Sequence, residues 1–544
     1  MLQVFKKLSW FKTRKISLVP LIMMTSFFIL ATGNLTFGET LVSIYPMQDH
    51  LVFIVLAWAI VYCAITAFMA ICIIFLPVYF VLPFFLIVAS VCGYFADTYG
   101  VIIDVIMIQN SLETNFAETS NLLTVKYQGR IFILGVVPAI LLLLPRVRKT
   151  SIVRRTVSLV LFIIGLSLTM ITLMFTSSEQ FASFFREHRT VRFFVNPVYP
   201  IYSLGRYIEL EFLSQSAKFN KANLKVERQA SDESHDLVIM IVGETARSDH
   251  FALNNYKRDT NPLLSKIPNI VSFSNVSSCG TSTAISVPCL FSLSPRKTFD
   301  QAQAKRSENI LDLAKNAGVS VLWRDNNSDS KGVADRLPYE SYMTDQVNTK
   351  CDHGECRDIG MLDGLQDYLN EQTSDVLIVL HQMGSHGPAY YLRYPPEFDH
   401  FKPSCHTLEL ADCSQDQIIN AYDNTLRYTD YFLSEVIKLL ENNIDKYEPM
   451  MLYVSDHGES LGENGVYLHG LPYLIAPEAQ TKVPVLVWAA STSDVDINAT
   501  RKLKDEAFSH DSIVSTIATL FELNIVGKGK STNREFVVLK PELE

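Results

Sequence analysis

The chain has 544 residues, of which 48% are hydrophobic and only 19% charged, with a positive mean hydropathy of +0.17. A soluble enzyme carries about 25% charged residues, so part of this chain belongs in lipid, and the same figures exclude disorder, a coiled coil and a small disulfide-stapled scaffold. The net charge of −9 averages two unlike parts: residues 1–210 hold 16 Lys and Arg against 9 Asp and Glu, the remaining 334 hold 31 against 47, and so acidic a second part argues against nucleic acid as a partner.

Apolar runs fall at residues 16–33, 51–76, 78–93, 131–144 and 157–175. A bilayer core takes roughly 20 apolar residues per helix. The first, second and fifth runs suffice alone, the third extends through Tyr94, Phe95 and Ala96, and the fourth must begin near Tyr127. Five spanning helices are therefore predicted, with Pro77 and Pro83 bracketing a tight turn between the second and third. Lys6, Lys7, Lys12, Arg14 and Lys15 precede the first run, and Arg146, Arg148, Lys149, Arg154 and Arg155 fill the loop before the fifth. The loop at 34–50 has no Lys or Arg, and that at 98–127 has only Lys126. Positive loops stay inside, so everything after Phe175 is expected outside. The first run exceeds the apolar core of a cleaved signal peptide and reads as a span. So few charges lie within the spans that a transporter is disfavoured.

Residues 177–215 mix Phe181, Phe184, Phe185, Phe193 and Phe194 with Arg186, Arg189, Arg192 and Arg206, a composition suited to helices lying in the headgroup layer. The expected organisation is a transmembrane domain at 1–176, an interfacial amphipathic linker at 177–215 and an outer catalytic domain at 216–544.

From Ser216 the pattern turns to soluble α/β. Short apolar strands at 237–242, 319–323, 376–380, 450–454 and 485–488 alternate with helical stretches such as 309–317, 417–442 and 510–523. Near-continuous apolar strands between helices predict a mostly parallel sheet covered on both faces. Four of these strands run straight into chemistry. The first meets Gly243-Glu244-Thr245, and the second meets Arg324-Asp325-Asn326-Asn327 with Lys331 beyond. The third meets His381-Gln382-Met383-Gly384-Ser385-His386-Gly387. The fourth meets Ser455-Asp456-His457-Gly458-Glu459, with His469 twelve residues past His457. Each fragment alone reads as a turn or a helix start. Ligands of open α/β sheets bind outside the carboxyl ends of the strands, so together they point to one crevice. Carboxylates with imidazole suit zinc.

A further segment, Ser278-Cys279-Gly280-Thr281-Ser282-Thr283, is rich in hydroxyls and is followed by Cys289. A hydroxyl is a weak nucleophile until a base or metal activates it, and composition does not choose among Thr281, Ser282 and Thr283. If a helix starts here, its free N–H groups favour a phosphate. Cys63, Cys72 and Cys92 fall in spans as apolar filler. The other six form close couples, Cys279/Cys289, Cys351/Cys356 and Cys405/Cys413, which predict neighbour pairing in an oxidising compartment. A zinc–thiolate site would show CxxC spacing, which these lack.

These residues resemble the phosphoethanolamine transferases of the Gram-negative inner membrane, within the alkaline phosphatase/sulfatase superfamily, and in particular the lipid A-modifying branch that includes the mobile colistin-resistance proteins. The stretches that carry the likeness are Val242-Gly243-Glu244-Thr245-Ala246-Arg247, Ser278 to Thr283 with Ser286-Val287-Pro288-Cys289, Trp323-Arg324-Asp325-Asn326-Asn327-Ser328, His381 to Pro388, and Ser455 to Glu463. The resemblance implies an α-helical transmembrane domain joined to an α/β periplasmic domain of the alkaline phosphatase/sulfatase type. It implies Thr283 as nucleophile, in a zinc (Zn2+) site with Glu244, Asp456 and His457. Asn327, Lys331, His386 and His469 match positions that hold the phosphoethanolamine group or assist its transfer, His386 and His469 as general acids or as ligands of a second zinc. The outer loop after the third span adds Asn110, Glu113, Thr114 and Glu118 as substrate-binding positions.

The function implied is transfer of phosphoethanolamine from phosphatidylethanolamine to a lipid A phosphate through a phosphoethanolamine–threonine intermediate. Such transfer lowers surface negative charge and gives polymyxin or colistin resistance. The protein is then a monomer in the inner membrane with its catalytic domain in the periplasm. Core heptose, Kdo or a periplasmic glucan as acceptor, or phosphoglycerol as the transferred group, is the alternative. A sulfatase needs Cys/Ser-x-Pro-x-Arg, and Ser294-Pro295-Arg296 lacks that spacing. A non-catalytic sensor on the same fold should have lost a ligand or the nucleophile, whereas Thr283, Glu244, Asp456 and His457 all stand.

Overall fold

In the first part of the chain, helices form on the long apolar runs. Met47–Phe75, Val78–Tyr99, Val125–Leu142 and Ile152–Thr176 are each long and apolar enough to cross a membrane, and Leu18–Gly33 with Leu35–Ile44, bent by 64°, bring the number to five when the bent pair is counted as one span. The structure, a computed structural model, describes residues 15–113, 121–188, 190–215, 225–228, 234–352, 354–526 and 534–541. Lys6, Lys7, Lys12 and Arg14, used above for orientation, lie outside the described residues. The chain divides into two units, Met1–Ile108 with Leu123–Ile208, and Gln109–Leu122 with Glu209–Glu544.

In the first unit, residues 35–44, expected in an outer loop, are helical and form the second arm of the bent pair. The break is satisfied by side chains. Asn196 Nδ2 donates to the carbonyls of Gly33 (2.8 Å) and Ala89 (2.7 Å), and Asn34 and Asn196 exchange two further bonds of 2.9 Å each. A helix break at membrane depth persists only where its freed backbone groups find such partners. Asp97 fixes the second arm, accepting from the Thr36 amide (3.0 Å) and hydroxyl (2.6 Å) while pairing with Arg130. Pro77 caps Val78–Tyr99 as expected, but Pro83 lies inside that helix. There it lies past the first turn and, lacking an N–H, forgoes the backbone bond to the Tyr79 carbonyl. Between 177 and 215 the chain forms Ser178–Glu187, Val191–Phe194 and Val198–Gln215. Phe181 and Phe184 are buried against Phe53, with ring centroids 4.8 and 5.9 Å away.

The second unit is built on an eight-stranded sheet. Its strands in chain order are β1 (Asp236–Gly243), β2 (Ile270–Ser277), β3 (Ser320–Asp325), β4 (Tyr339–Ser341), β5 (Val376–His381), β6 (Glu448–Ser455), β7 (Lys482–Ala489) and β8 (Phe508–Ser509). Across the sheet they lie in the order β8-β2-β7-β6-β1-β5-β3-β4. All neighbours are parallel except β7, which runs against both β6 and β2. Side chains alternate along a strand, so β1 serves two cores. Val238, Met240 and Val242 join one face with Val287, Leu290, Ile310 and Ile513. Leu237, Ile239 and Ile241 join the other with Ile418, Tyr422, Leu426 and Leu433 of the helix Gln415–Glu441. Each fully buried Val, Leu or Ile contributes about 1.5–3 kcal/mol, which is why a strand covered on both sides is apolar throughout. The three neighbouring cysteine pairs, Cys279–Cys289, Cys351–Cys356 and Cys405–Cys413, are disulfides, and Cys63, Cys72 and Cys92 are free.

Candidate metal centre and active site

Four adjacent parallel strands, β6, β1, β5 and β3, deliver their C-terminal loops to one edge. The register sets His381 beside Val242 and Asp325, and Ser455 beside Gly243. The loops close tightly there. A Cβ on Gly243 would lie 2.4 Å from the Tyr453 hydroxyl, and one on Gly384, at φ +51°, would lie 2.9 Å from the Glu244 carbonyl oxygen.

Glu244, Asp456 and His457 meet in this edge, buried almost completely. Asp456 Oδ1 accepts from the amides of Thr245 (3.2 Å) and His457 (2.7 Å). His457 Nδ1 donates to the Gly458 carbonyl (2.9 Å), which leaves the lone pair on Nε2. Glu244 Oε2 accepts from Asn327 Nδ2 (2.8 Å) and from the Thr283 hydroxyl (3.1 Å). What remains is Glu244 Oε1, Asp456 Oδ2 and His457 Nε2, all buried and without a hydrogen-bond partner. Nε2 is 3.3 Å from each of the two oxygens.

A buried polar atom without a partner costs about 1–3 kcal/mol. Three such atoms converging on one point fit a cation, and two carboxylates with one imidazole fit zinc. The electrostatics agree. Burial raises the Asp456 carboxyl well above the usual carboxylate range, and the neighbouring Glu244 charge raises it further. Burial would raise Glu244 as well, but His457 beside it holds it below that range. Burial opposes the charged form of His457, and Glu244 outweighs it, so His457 is raised. Protons held in this way are those that a divalent cation displaces.

The three candidate hydroxyls are separated by geometry. Thr281 is committed elsewhere, donating to the Leu471 carbonyl at 2.7 Å. Ser282 is the N-cap of the helix Thr283–Phe291, its buried hydroxyl without a partner. Thr283 is the one whose hydroxyl reaches Glu244. It opens that helix, whose N-terminal end carries positive partial charge.

The remaining predicted residues divide. Glu244 also forms a second triplet with His386 and His469, whose ligand atoms lie within 4.8 Å of one another. The His469 ring is 4.3 Å from that of His457 and 5.3 Å from that of His386. Asn327 is in the cluster, tied to Glu244 and to the Gln382 carbonyl (2.7 Å). Lys331 turns to a neighbouring group instead. Its Nζ donates to the Ser328 carbonyl (2.6 Å) and lies 4.0 Å from Glu113 Oε2, whose other oxygen is 3.0 Å from Lys305. Asn110 stands with Glu113 on the helix Val105–Glu113, while Thr114 and Glu118 lie outside the described residues.

Several supporting groups escaped the sequence reading. Glu459 Oε2 takes His469 Nδ1 (2.8 Å) and its Oε1 takes the Tyr390 hydroxyl (2.7 Å). Asp325 holds His381 (2.9 Å), Trp323 Nε1 (2.8 Å) and the Asn327 amide (2.9 Å). Asp358 accepts from Asn326 Nδ2 (2.8 Å) and from the amides of Met383 (2.9 Å) and Gly384 (3.1 Å), so it joins the loops after β3 and β5. Glu459 and Asp325 sit inside the motifs quoted above and were open to notice. Asp358, far away in sequence, carried no local signal.

The chain is similar to known proteins over nearly its whole length. The family described as phosphoethanolamine transferase EptA/EptB matches residues 59–212, and the sulfatase family matches residues 236–523. The phosphatidylethanolamine transferase Mcr-2 of Escherichia coli is 41% identical over 547 aligned positions, covering 96% of this chain and 98% of that protein. Mcr-1 of Escherichia coli is 42% identical, covering 94% and 96%. Among solved structures, the integral membrane lipooligosaccharide phosphoethanolamine transferase A (EptA) of Neisseria meningitidis superposes with a TM-score of 0.89 at 31% identity, covering 94% of this chain and 97% of that one.

Proposed function

The chain belongs to the EptA/EptB family of phosphoethanolamine transferases, and from that membership we propose that it moves phosphoethanolamine from phosphatidylethanolamine to a phosphate group of lipid A, through a phosphoethanolamine–Thr283 intermediate. The observation that carries the reading is the Thr283 hydroxyl donating to Glu244, whose other carboxylate oxygen joins Asp456 and His457 in a buried set of unpaired ligand atoms. A zinc ion held by Glu244, Asp456 and His457 would supply a Lewis acid that lowers the pKa of the Thr283 hydroxyl and stabilises charge on the transferring phosphoryl group.

In the first half-reaction Thr283 Oγ1 attacks the donor phosphorus, and Glu244 Oε2 is the acceptor placed for its proton. The bond from phosphorus to the diacylglycerol oxygen breaks, and His386 or His469 delivers a proton to that oxygen. Asn327 orients Glu244, and Lys331 neutralises a phosphate oxygen once drawn away from Glu113. In the second half-reaction an oxygen of the acceptor phosphate attacks the phosphorus and its proton passes to the histidine that gave one up, while the bond from phosphorus to Thr283 Oγ1 breaks and Thr283 leaves with the proton that Glu244 held. The N-terminal end of the helix Thr283–Phe291 favours the phosphoryl group throughout. His386 and His469 have a second reading as ligands of another zinc, supported by their triplet with Glu244. Zinc stoichiometry separates the two readings.

The setting follows from the same residues. Basic loops on one side and three disulfides in the second unit support an inner-membrane protein with that unit in the periplasm. Addition of an ethanolamine amine offsets a lipid A phosphate charge, so the expected phenotype is resistance to polymyxins. The test is mass spectrometry of lipid A from cells with and without the protein. A phosphoethanolamine increment confirms acceptor and reaction together. Its absence, with increments on core heptose, Kdo or glucan, moves the acceptor to those sugars.

A further inference from the structure

Tyr422 belongs to the helix Gln415–Glu441, far in sequence from the metal centre, and is fully buried. Its hydroxyl donates to the Thr245 carbonyl (2.7 Å) and accepts from the Arg247 amide (2.9 Å), so one oxygen closes the turn that follows Glu244. Thr245 sits in that turn at φ +52°. For a β-branched residue this left-handed conformation is an outlier that persists only when its surroundings impose it. The side chain of Thr245 does not impose it, because its buried hydroxyl has no hydrogen-bond partner. Backbone contacts do. The Thr245 amide donates to Asp456 Oδ1 (3.2 Å), the Ala246 amide to Ser455 Oγ (2.8 Å), and the carbonyl of Thr245 accepts from Tyr422. The turn thus starts from one proposed ligand, Glu244, and orients another, Asp456.

We propose that Tyr422 is a positioning residue of the metal centre, its hydroxyl holding Thr245 in the left-handed turn that keeps Glu244 and Asp456 convergent. The proposal rests on the reading of Glu244, Asp456 and His457 as zinc ligands. Tyr422→Phe deletes a single oxygen and keeps the ring contacts with His250 (5.3 Å between centroids) and Tyr390 (5.6 Å). Zinc affinity of the full-length protein in detergent, measured by chelator competition, should fall about tenfold or more, as it does when other groups that orient metal ligands are removed. The turnover number should fall while KM for the lipid donor holds.

A second substitution tests the route. Glycine adopts positive φ freely, so Thr245→Gly should bind zinc nearly as the wild type does. In the Thr245→Gly background the added Tyr422→Phe should cost less than about threefold, a non-additivity expected only if the hydroxyl acts through the strained backbone. Equal losses in both backgrounds would overturn the proposal, as would a Tyr422→Phe protein that binds zinc as tightly as the wild type. A wild type that binds no zinc would instead overturn the ligand reading on which it rests. If Tyr422→Phe alone fails to fold, the Thr245→Gly/Tyr422→Phe double variant, compared with Thr245→Gly, decides: zinc affinity within about threefold supports the proposal, and a tenfold loss defeats it.

Discussion

The Thr283 hydroxyl and the Asn327 amide share one oxygen of Glu244, Oε2, at 3.1 and 2.8 Å, and leave Oε1 without a hydrogen-bond partner. A substitution at 283 should therefore separate chemistry from metal binding. Thr283→Ala is expected to lower transfer about 1,000-fold or more, the scale on which loss of a nucleophile is felt. Its zinc affinity should stay close to wild type, because Glu244, Asp456 and His457 are untouched. Thr281→Ala should keep most activity but lose about 1 kcal/mol of stability, as its bond to the Leu471 carbonyl disappears. Intact-protein mass after incubation with phosphatidylethanolamine reads the intermediate directly. An adduct on Thr283→Ala, mapped to Thr281 or Thr245, would sink the assignment.

Metal removal should show in stability as well as in activity. Three buried ligand atoms without partners are left uncompensated when zinc is stripped. A ligand held at 100 times its Kd stabilises the folded state by about 2.7 kcal/mol. Chelation is expected to lower the melting temperature of the full-length protein, and added zinc to restore it. A chelated protein that lost its zinc yet melted unchanged would contradict the centre described above.

His510 predicts an acid limb. Its Nδ1 accepts from the Cys279 amide (3.1 Å) and its Nε2 donates to the Ser455 carbonyl (3.0 Å), so the ring fits only when neutral. Burial, joined by the positive charges of His457 and Arg296, depresses its pKa from 6.5 to about 3. The unfolded chain thus takes up a proton near pH 6.5 that the folded chain refuses until about pH 3. The stability that the neutral ring confers is complete above pH 6.5 and is lost as pH falls toward 3, by at most about 1.4 kcal/mol per pH unit. Thermal melts from pH 7.5 to 5 should fall less steeply for His510→Gln than for the wild type. Parallel curves would show that His510 does not set the limb.

Gly384→Ala should damage the site without touching a ligand. At φ +51° an alanine is disfavoured by about 1–2 kcal/mol before any contact is counted. Its Cβ would also lie 2.9–3.1 Å from three atoms of Glu244, two of them backbone atoms that cannot step aside. Zinc affinity and melting temperature should both drop. Normal zinc binding by this variant would mean that the loop after β5 does not brace Glu244.

The residues of the proposed metal centre were legible because each follows an apolar strand, and strand ends in a parallel sheet are where such residues gather. Three strands of the sheet hid, for two opposite reasons. β2 buries Val271, Phe273 and Val276 but carries Ser272, Ser274 and Asn275 between them, so no continuous apolar run marks it. β4 and β8 are only three and two residues long. The choice of Thr283 over Thr281 was not legible from composition, since it depends on which hydroxyl the Leu471 carbonyl has already taken. Tyr422, Asp358 and His510 were unreadable in a stronger sense. Each acts across long separations, and a polar residue in a helix or loop does not announce in sequence what it will meet. The bend at Asn34 was missed likewise, because its partner Asn196 lies 162 residues away.

That bend has a consequence for the lipid around it. A straight spanning helix meets a thinner or thicker bilayer by tilting or sliding, at little cost. The first span has lost that freedom. Its break is bonded to Ala89 on a second span and to Asn196 beyond the fifth, and hydrocarbon offers no replacement for those bonds. The bend therefore cannot straighten without breaking them. A membrane of another thickness has to be met by the helical unit as a whole, not by the first helix alone.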